Sequence, residues 1–136
     1  MDVVLLVGRI LFAFLFAGSA IGHLTKADDM AGYAAAKGVP MAKASVLASG
    51  VMLVLGALSV VLGLWGDVGS ILLFVFLVPT AVLMHAFWKE TDPMAKQMEM
   101  IHFNKDVALA GAALAFLWIF STDPDLTLTD SLLGLG

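Results

Sequence analysis

The amino-acid sequence predicts an all-α fold, an integral membrane four-helix bundle with short interfacial helices in its first and third connections. Apolar residues make up 61% of the chain and charged residues 13%, whereas soluble domains average about 45–50% and 25%. The 136 residues also contain four apolar runs of roughly 18 residues or more, the length that crosses a hydrocarbon core of about 30 Å. A soluble domain this short could not bury so much apolar surface, so we expect the helices to contact the lipid bilayer.

The four apolar runs define the predicted spans. The first contains a single charged residue, Arg9, and the second and third contain none. The fourth must start early enough to reach the required length, so it takes Lys105 and Asp106 into its first turn. The spans are predicted at about residues 3–22, 44–66, 68–87 and 103–120, and the whole chain, residues 1–136, is expected to form a single transmembrane domain.

Capping residues predict the two interfacial helices. In the first connection, Asp28 or Asp29 is suited to begin a short helix, and Gly38 is suited to end it. In the third connection, Asp92 and Pro93 have the residue types typical of the N-cap and the first helical position. No Gly or Pro follows before residue 111, so this helix is expected to continue into the fourth span.

The positions of the basic residues predict the orientation in the membrane. Lysines occur in the first and third connections, and none occurs in the second connection or at either terminus. Basic residues concentrate in cytoplasmic loops. We therefore expect a multi-pass protein of the cell membrane with both termini outside. The lysines concerned are Lys26, Lys37, Lys43, Lys89, Lys96 and Lys105.

Most candidate functional residues lie at the predicted cytoplasmic edge of the bundle. His23 and His85 end the first and third spans, and His102 begins the fourth. Glu99, His102 and Asp106 are spaced i, i+3 and i+7, which places them on one helical face. Imidazoles and carboxylates on facing helix ends would form a proton-conducting or head-group-binding pocket; the alternative is that such residues simply prefer the interface. The candidate ligand-binding residues are Arg9, His23, His85, Trp88, Glu99, His102, Lys105 and Asp106.

Arg9 allows two interpretations. It lies about 9 Å into the first span from the outer end, so its long side chain could extend back to the outer surface. Alternatively it faces the bundle as a fixed positive charge, because an arginine within the bilayer normally finds a partner or a ligand. Asp67, or backbone carbonyls of the outer half, would then be its partners.

The sequence argues against an intrinsic metal or cofactor. There is no cysteine, so the chain offers no thiolate for an iron–sulfur cluster. Glu99 and His102 form one Glu-x-x-His element, but a di-iron bundle needs two such elements and two further glutamates, and Glu90 is the only other glutamate. Histidines near helix ends are poorly placed to hold a haem between them. We expect no metal site.

Several sequence elements, in this order, resemble the DoxX family of small four-helix membrane proteins. The resemblance covers nearly the whole chain, although Asp106 stands where the family usually has asparagine after the lysine. The family is named after a subunit of a terminal quinol or thiosulfate:quinone oxidoreductase, and some members belong to membrane-associated oxidoreductase complexes. The resemblance therefore implies a bundle and an association with redox chemistry. The elements are Arg9, Phe12, Phe16, Gly18 and His23, YAAAKGVP at 33–40, HAFW at 85–88, FNKD at 103–106 and LAG at 109–111.

Two functional hypotheses follow. In the first, the chain is a subunit of a membrane redox complex that binds a quinone or similar carrier, with His23, His85 and His102 as proton partners and Arg9 and Lys105 as electrostatic anchors. In the second, it is a non-catalytic binding or assembly protein that holds a lipid or a partner protein. Under either hypothesis we expect no autonomous enzyme and no nucleic-acid partner, and self-association into a homo-oligomer is left open.

Overall fold

The computed structural model describes residues 1–136 and contains five α-helices and one 3₁₀ turn. Four of the helices are long and apolar enough to cross a membrane. The chain is therefore a multi-pass membrane protein, and the predicted all-α bundle of four spans is confirmed. The elements are α1 (Asp2–Thr25), α2 (Ala27–Ala36), α3 (Ala42–Leu62), α4 (Gly66–Met84), the 3₁₀ turn (Phe87–Lys89) and α5 (Pro93–Phe120).

The spans pack in the order α1, α3, α4, α5. Small residues bring α3 and α4 close together: a Cβ atom added to Gly56 would lie 2.6 Å from the side chain of Leu73. Aromatic side chains connect α1 with α5, where the ring centroids of Phe12 and Phe116 are 4.9 Å apart. The core between the helices consists mainly of Phe12, Phe16, Leu53, Val60, Leu73, Leu77, Ala113 and Phe120.

The two ends of the bundle differ in what covers them. We call one the connector end; it carries α2 and the 3₁₀ turn, which join α1 to α3 and α4 to α5. We call the other the tail end; it carries the short α3–α4 turn and residues 121–136, which fold back onto that turn. The backbone amides of Leu128 and Thr129 donate to the carbonyl of Gly63, at 3.2 and 3.1 Å. Both chain termini consequently lie at the tail end.

The boundaries of the short helices follow from local chemistry. Asp28 and Asp29 lie in the first turn of α2 and do not cap it, because the helix already begins at Ala27. Gly38 ends α2 as predicted: its φ is +85°, a conformation that favours glycine. Asp92 caps α5 as predicted, since its carboxylate accepts the backbone N–H of Ala95 at 2.8 Å.

The spans also differ in detail from the predicted limits. Gly63 adopts a left-handed conformation and ends α3 at Leu62, so the second span is shorter than the predicted 44–66. The next helix starts at Gly66 and stops at Met84. As predicted, the fourth span is the second part of one continuous helix that begins at Pro93, which places Glu99 and His102 on the same helix as the span itself.

Candidate functional site at the connector end

A cavity of about 370 Å³ lies at the connector end among α1, α2, α3 and α4. Its size falls within the range of about 300–1,000 Å³ that is typical of small-molecule sites. Eight of its fifteen lining residues are hydrophobic, so it offers an apolar wall with a few polar groups. The side chains on that wall that can form hydrogen bonds belong to Ser19, His23, Tyr33, Ser45, Ser49, Thr80 and His85.

His23, in the last turn of α1, is held in one orientation by α3. Its Nδ1 lies 2.8 Å from the hydroxyl oxygen of Ser49 and 3.2 Å from the carbonyl oxygen of Val46. A carbonyl can only accept a hydrogen bond, so Nδ1 carries the hydrogen. In the neutral ring, Nε2 is then a hydrogen-bond acceptor, and no protein group bonds to it. His23 therefore lines the cavity with an Nε2 atom that has no hydrogen-bond partner in the protein.

His85 follows directly on α4 and lies between two carboxylates of α5. Its Nδ1 is 2.7 Å from Glu99 Oε2, and its Nε2 is 3.6 Å from Asp106 Oδ2. The ring also stacks on His102, with centroids 5.0 Å apart. The face of α5 that carries Glu99, His102 and Asp106 thus converges on His85, which in turn lines the cavity.

Asp106 connects this cluster to a partly exposed lysine. The residue is only 4% exposed, and its Oδ2 atom has no hydrogen-bond partner. Its Oδ1 atom is 3.5 Å from Nζ of Lys105, whose side chain is 41% exposed. Asp106 also lines a second groove, of about 300 Å³, between α4 and α5. The carboxylate is therefore positioned between a histidine on the cavity wall and a cation that reaches the surface.

Glu99 also ties α2 to α5. Its Oε1 atom accepts hydrogen bonds from the Tyr33 hydroxyl at 2.9 Å and from Lys37 Nζ at 3.2 Å. Lys37 donates a further bond to Glu90 at 2.9 Å. The hydrogen bond to Glu90 raises the pKa of Lys37 above its ordinary value. Burial and the bond to Glu99 raise the pKa of Tyr33, so at neutral pH both groups keep their protons and donate.

Tyr33, Lys37 and Glu90 were not among the residues proposed from the sequence. A signal existed for two of them: Tyr33 and Lys37 are four residues apart and share one face of α2. Both also lie within the YAAAKGVP stretch that carries the family resemblance. The sequence does not indicate that Glu99 is their partner, because Tyr33 and Glu99 are 66 positions apart in the chain.

Trp88 is displaced from the position that the sequence suggested. Trp88 follows His85 by three residues, so in a continuous helix it would lie one turn beyond that histidine. Instead α4 stops at Met84 and a 3₁₀ turn follows. Trp88 packs against Phe103, with ring centroids 5.6 Å apart, and it does not line the cavity.

Arg9 faces the bundle but lies at the tail end, away from the histidines. It is 0% exposed, which rules out extension to the outer surface. Its Nε and Nη2 donate to the carbonyls of Val60 and Val61, at 2.8 and 2.6 Å, and its Nη1 donates to the carbonyl of Leu126 at 2.8 Å. Backbone carbonyls are therefore its partners, as one of the two interpretations proposed. Its role as an anchor of the histidine site is not compatible with this position.

Asp67, the other partner suggested for Arg9, forms hydrogen bonds with different groups at the tail end. Its Oδ2 atom accepts hydrogen bonds from the Ser131 hydroxyl at 2.8 Å and from the Leu133 amide at 2.7 Å. Arg9 and Asp67 thus each bind the C-terminal segment, one through a carbonyl and the other through an amide and a hydroxyl. These two buried charges fasten the tail to the bundle.

Comparisons with known proteins agree with this architecture. The family model described as DoxX matches residues 4–86, a segment that contains every residue lining the cavity. The inner membrane protein YphA of Escherichia coli (strain K12) is 32% identical to the chain over 122 residues, covering 90% of this chain and 84% of that protein. No solved structure matches the chain.

Proposed function

Because this chain belongs to the DoxX family of membrane proteins, we propose that it is a membrane subunit of a redox-associated complex whose connector-end cavity binds a quinone or a similar lipid-soluble carrier. One observation carries the proposal. His23, on α1, and His85, directly after α4, both lie on the wall of a cavity that is otherwise largely apolar. A quinone head group is an apolar ring that carries polar oxygens, and it matches such a wall.

The size and chemistry of the cavity suit a single-ring head group. A volume of about 370 Å³ is at the lower end of the range for small-molecule sites, about 300–1,000 Å³, which favours one ring over a fused multi-ring cofactor. When bound, a quinone supplies two-electron, two-proton chemistry. The apolar residues of the wall, such as Val46 and Phe76, would contact the ring, and the polar residues would contact its oxygens.

The residues around the cavity can hold and move protons. His23 offers Nε2 as a proton acceptor because its Nδ1 is already engaged by α3. On the other wall, His85 contacts Glu99 and lies 3.6 Å from Asp106. Asp106 approaches Lys105 at 3.5 Å, so this series of groups leads from the cavity towards the surface. Electrons would be exchanged with a redox partner protein in the same complex.

We assign the connector end to the cytoplasmic side of the cell membrane, with both termini outside. All six lysines lie towards the connector end, in its connections or in the adjoining parts of α3 and α5, which supports this orientation, and the relative from Escherichia coli is named an inner membrane protein. Reporter fusions at residue 66 and at the C-terminus should both report an external location, and a fusion at residue 92 should report a cytoplasmic one. The reverse pattern would place the cavity at the outer face.

A cavity-filling substitution tests the binding site. Ser19 lines the cavity, whereas Ala17, two residues earlier on α1, is exposed on the outside of the bundle. Ser19→Phe should abolish binding of a short-chain quinone to the protein in lipid nanodiscs, and Ala17→Phe should leave binding unchanged. Binding that survives Ser19→Phe in a folded protein would locate the ligand elsewhere.

A second candidate function is that of a protein that holds a lipid or a partner without chemistry of its own. The hydrophobic majority among the cavity residues favours it, because an acyl chain needs no polar contact. Mass spectrometry of the gently extracted protein separates the two functions. Retained quinone supports the redox role, and retained phospholipid that excludes quinone supports the holding role.

A further inference from the structure

The hydroxyl groups on the cavity wall have little capacity left to donate. Four of them already give their hydrogen to another group of the protein. A hydroxyl has one hydrogen but two lone pairs, so a ligand meets these groups as acceptors. Ser19 is the only hydroxyl on the wall that forms no hydrogen bond in the structure. The four donors and their acceptors are Ser45 to the Pro40 carbonyl (2.8 Å), Ser49 to the Val46 carbonyl (2.9 Å), Thr80 to the Phe76 carbonyl (2.7 Å) and Tyr33 to Glu99 (2.9 Å).

The two histidines likewise have little capacity to donate a hydrogen bond to a ligand. The hydrogen of His23 is on Nδ1 and is directed at α3, which leaves Nε2 as an acceptor in the neutral ring. His85 has both nitrogens directed at α5, one at Glu99 and the other at Asp106. With the hydrogen of each neutral ring on Nδ1, where it bonds to the protein, neither imidazole offers an N–H to a ligand in the cavity.

The end of α4, where it borders the cavity, has carbonyl groups without a backbone partner. Leu83 and Met84 line the cavity and are the last two residues of that helix. No backbone N–H donates to their carbonyl oxygens, as is usual in the last turn of a helix. The same helix end carries a partial negative charge. The wall is thus rich in acceptors and poor in donors.

We infer that the cavity selects the reduced, hydroxyl-bearing form of its carrier over the oxidised, carbonyl-bearing form. This inference rests on the proposed function, since it names which form of the ligand the same site prefers. A quinol hydroxyl can donate to His23 Nε2 or to a carbonyl at the end of α4, whereas a quinone oxygen can only accept and finds few donors. No aspartate or glutamate lines the cavity, so a neutral donor fits better than a full cation.

The expected preference is measurable. One hydrogen bond that forms with the quinol and not with the quinone corresponds to about tenfold in affinity. Tighter binding of the reduced form raises the reduction potential of the bound couple, by about 30 mV for each tenfold of preference in a two-electron reaction. The site would therefore stabilise the carrier as quinol, so the bound quinone would accept electrons more readily than the free one.

The test compares matched ligands on the full chain in phospholipid nanodiscs. The first pair is the reduced and oxidised forms of one short-chain benzoquinone; the second is 4-pentylphenol and 4-pentylanisole, which differ in the hydroxyl hydrogen and are not redox-active. We expect the reduced quinone to bind about tenfold more tightly than the oxidised one, and the phenol more tightly than the anisole. The ¹⁵N signal of His23 Nε2 should shift with the phenol and stay in place with the anisole.

Each outcome is decisive. If the oxidised quinone binds as tightly as the reduced form or more so, the inference is overturned while the quinone site stands. If the phenol binds in preference to the anisole but neither quinone form binds, the selectivity for donors stands and the quinone role falls. If none of the four compounds binds, both proposals fail.

Two variants localise the selectivity. Thr80→Val replaces a wall hydroxyl with a methyl group of nearly equal size, and Thr122→Val is the matched control, since that threonine bonds to Ile119 at the tail end. The first should reduce the preference for phenol over anisole and the second should not. His23→Phe should reduce it more, by about tenfold. An unchanged preference in Thr80→Val and in a folded His23→Phe protein would refute the role of these acceptors.

Discussion

The tail end and the connector end both contain buried or half-buried ionisable residues, but the partners of those residues differ. At the tail end, Arg9 binds three backbone carbonyls, and Asp67 binds a backbone amide and a serine hydroxyl. At the connector end, Glu99 and His85 bind each other and other titratable side chains. Only the connector end has these groups beside a cavity of about 370 Å³.

The difference indicates a division of tasks. Backbone groups do not titrate, so the contacts of Arg9 can hold chain segments together but cannot pass a proton on. Histidine, carboxylate and tyrosine side chains can exchange protons with one another. We therefore interpret the tail end as structural and the connector end as the place where chemistry is supported. The predictions below test this division, beginning with the largest expected effect.

Arg9→Lys should destabilise the protein strongly. The planar guanidinium donates to α3 and to the tail at the same time, and an ammonium group cannot reproduce that geometry. We expect a loss of about 3 kcal/mol in the free energy of unfolding, measured by titration with a denaturing detergent. Quinol affinity, measured where the variant is folded, should be unchanged. A variant as stable as the wild type, or one with a weakened cavity, would remove the distinction between the two ends.

Glu99→Gln should have a smaller effect on stability and a direct effect on the connector end. The amide keeps a hydrogen-bond acceptor for Tyr33 but loses the charge that faces Lys37 and His85. We expect a loss of about 2 kcal/mol in the free energy of unfolding, together with faster amide hydrogen exchange in α2. Glu90→Gln is the control, because it removes only one partner of Lys37, and it should cost less than half as much. Equal losses would show that Glu99 is not the central acceptor.

Lys37→Met should lower the free energy of unfolding by about 1 kcal/mol, and this loss should depend on pH in a defined way. Because folding raises the pKa of Lys37 above its ordinary value of 10.5, its contribution is complete below that value and is lost as the pH rises through the folded pKa. The stability difference from the wild type should thus be constant from pH 6 to about pH 10 and shrink above it. Lys43→Met removes an exposed pair with Asp28 and should have almost no effect. A difference that already varies near pH 7 would point to another titrating group.

Trp88→Phe should have the smallest effect. Trp88 packs against Phe87 and Phe103 and does not line the cavity. The change should leave quinol affinity within about twofold of the wild type, and a quinone analogue should quench little tryptophan fluorescence in either protein. A fall in affinity well beyond that would extend the binding site from the cavity to the 3₁₀ turn.

The sequence by itself determined the features that depend on local pattern. Apolar run lengths specify four spans, because a membrane core requires about 20 residues of helix. Asp92 and Gly38 specify helix ends through the conformations and bonds of single residues. The shared face of Glu99, His102 and Asp106 follows from the helical repeat, and the structure directs that face at His85.

Only the tertiary structure decided which side chains meet across the bundle. The rotation of α1 about its axis points Arg9 at α3 and the tail, and a hydropathy pattern that is apolar on all sides does not encode that rotation. The termination of α4 at Met84 turns Trp88 away from the cavity. The position of α2 brings Tyr33 and Lys37 to Glu99, more than 60 residues away in the chain. Such contacts depend on how whole helices pack, so no local sequence pattern specifies them.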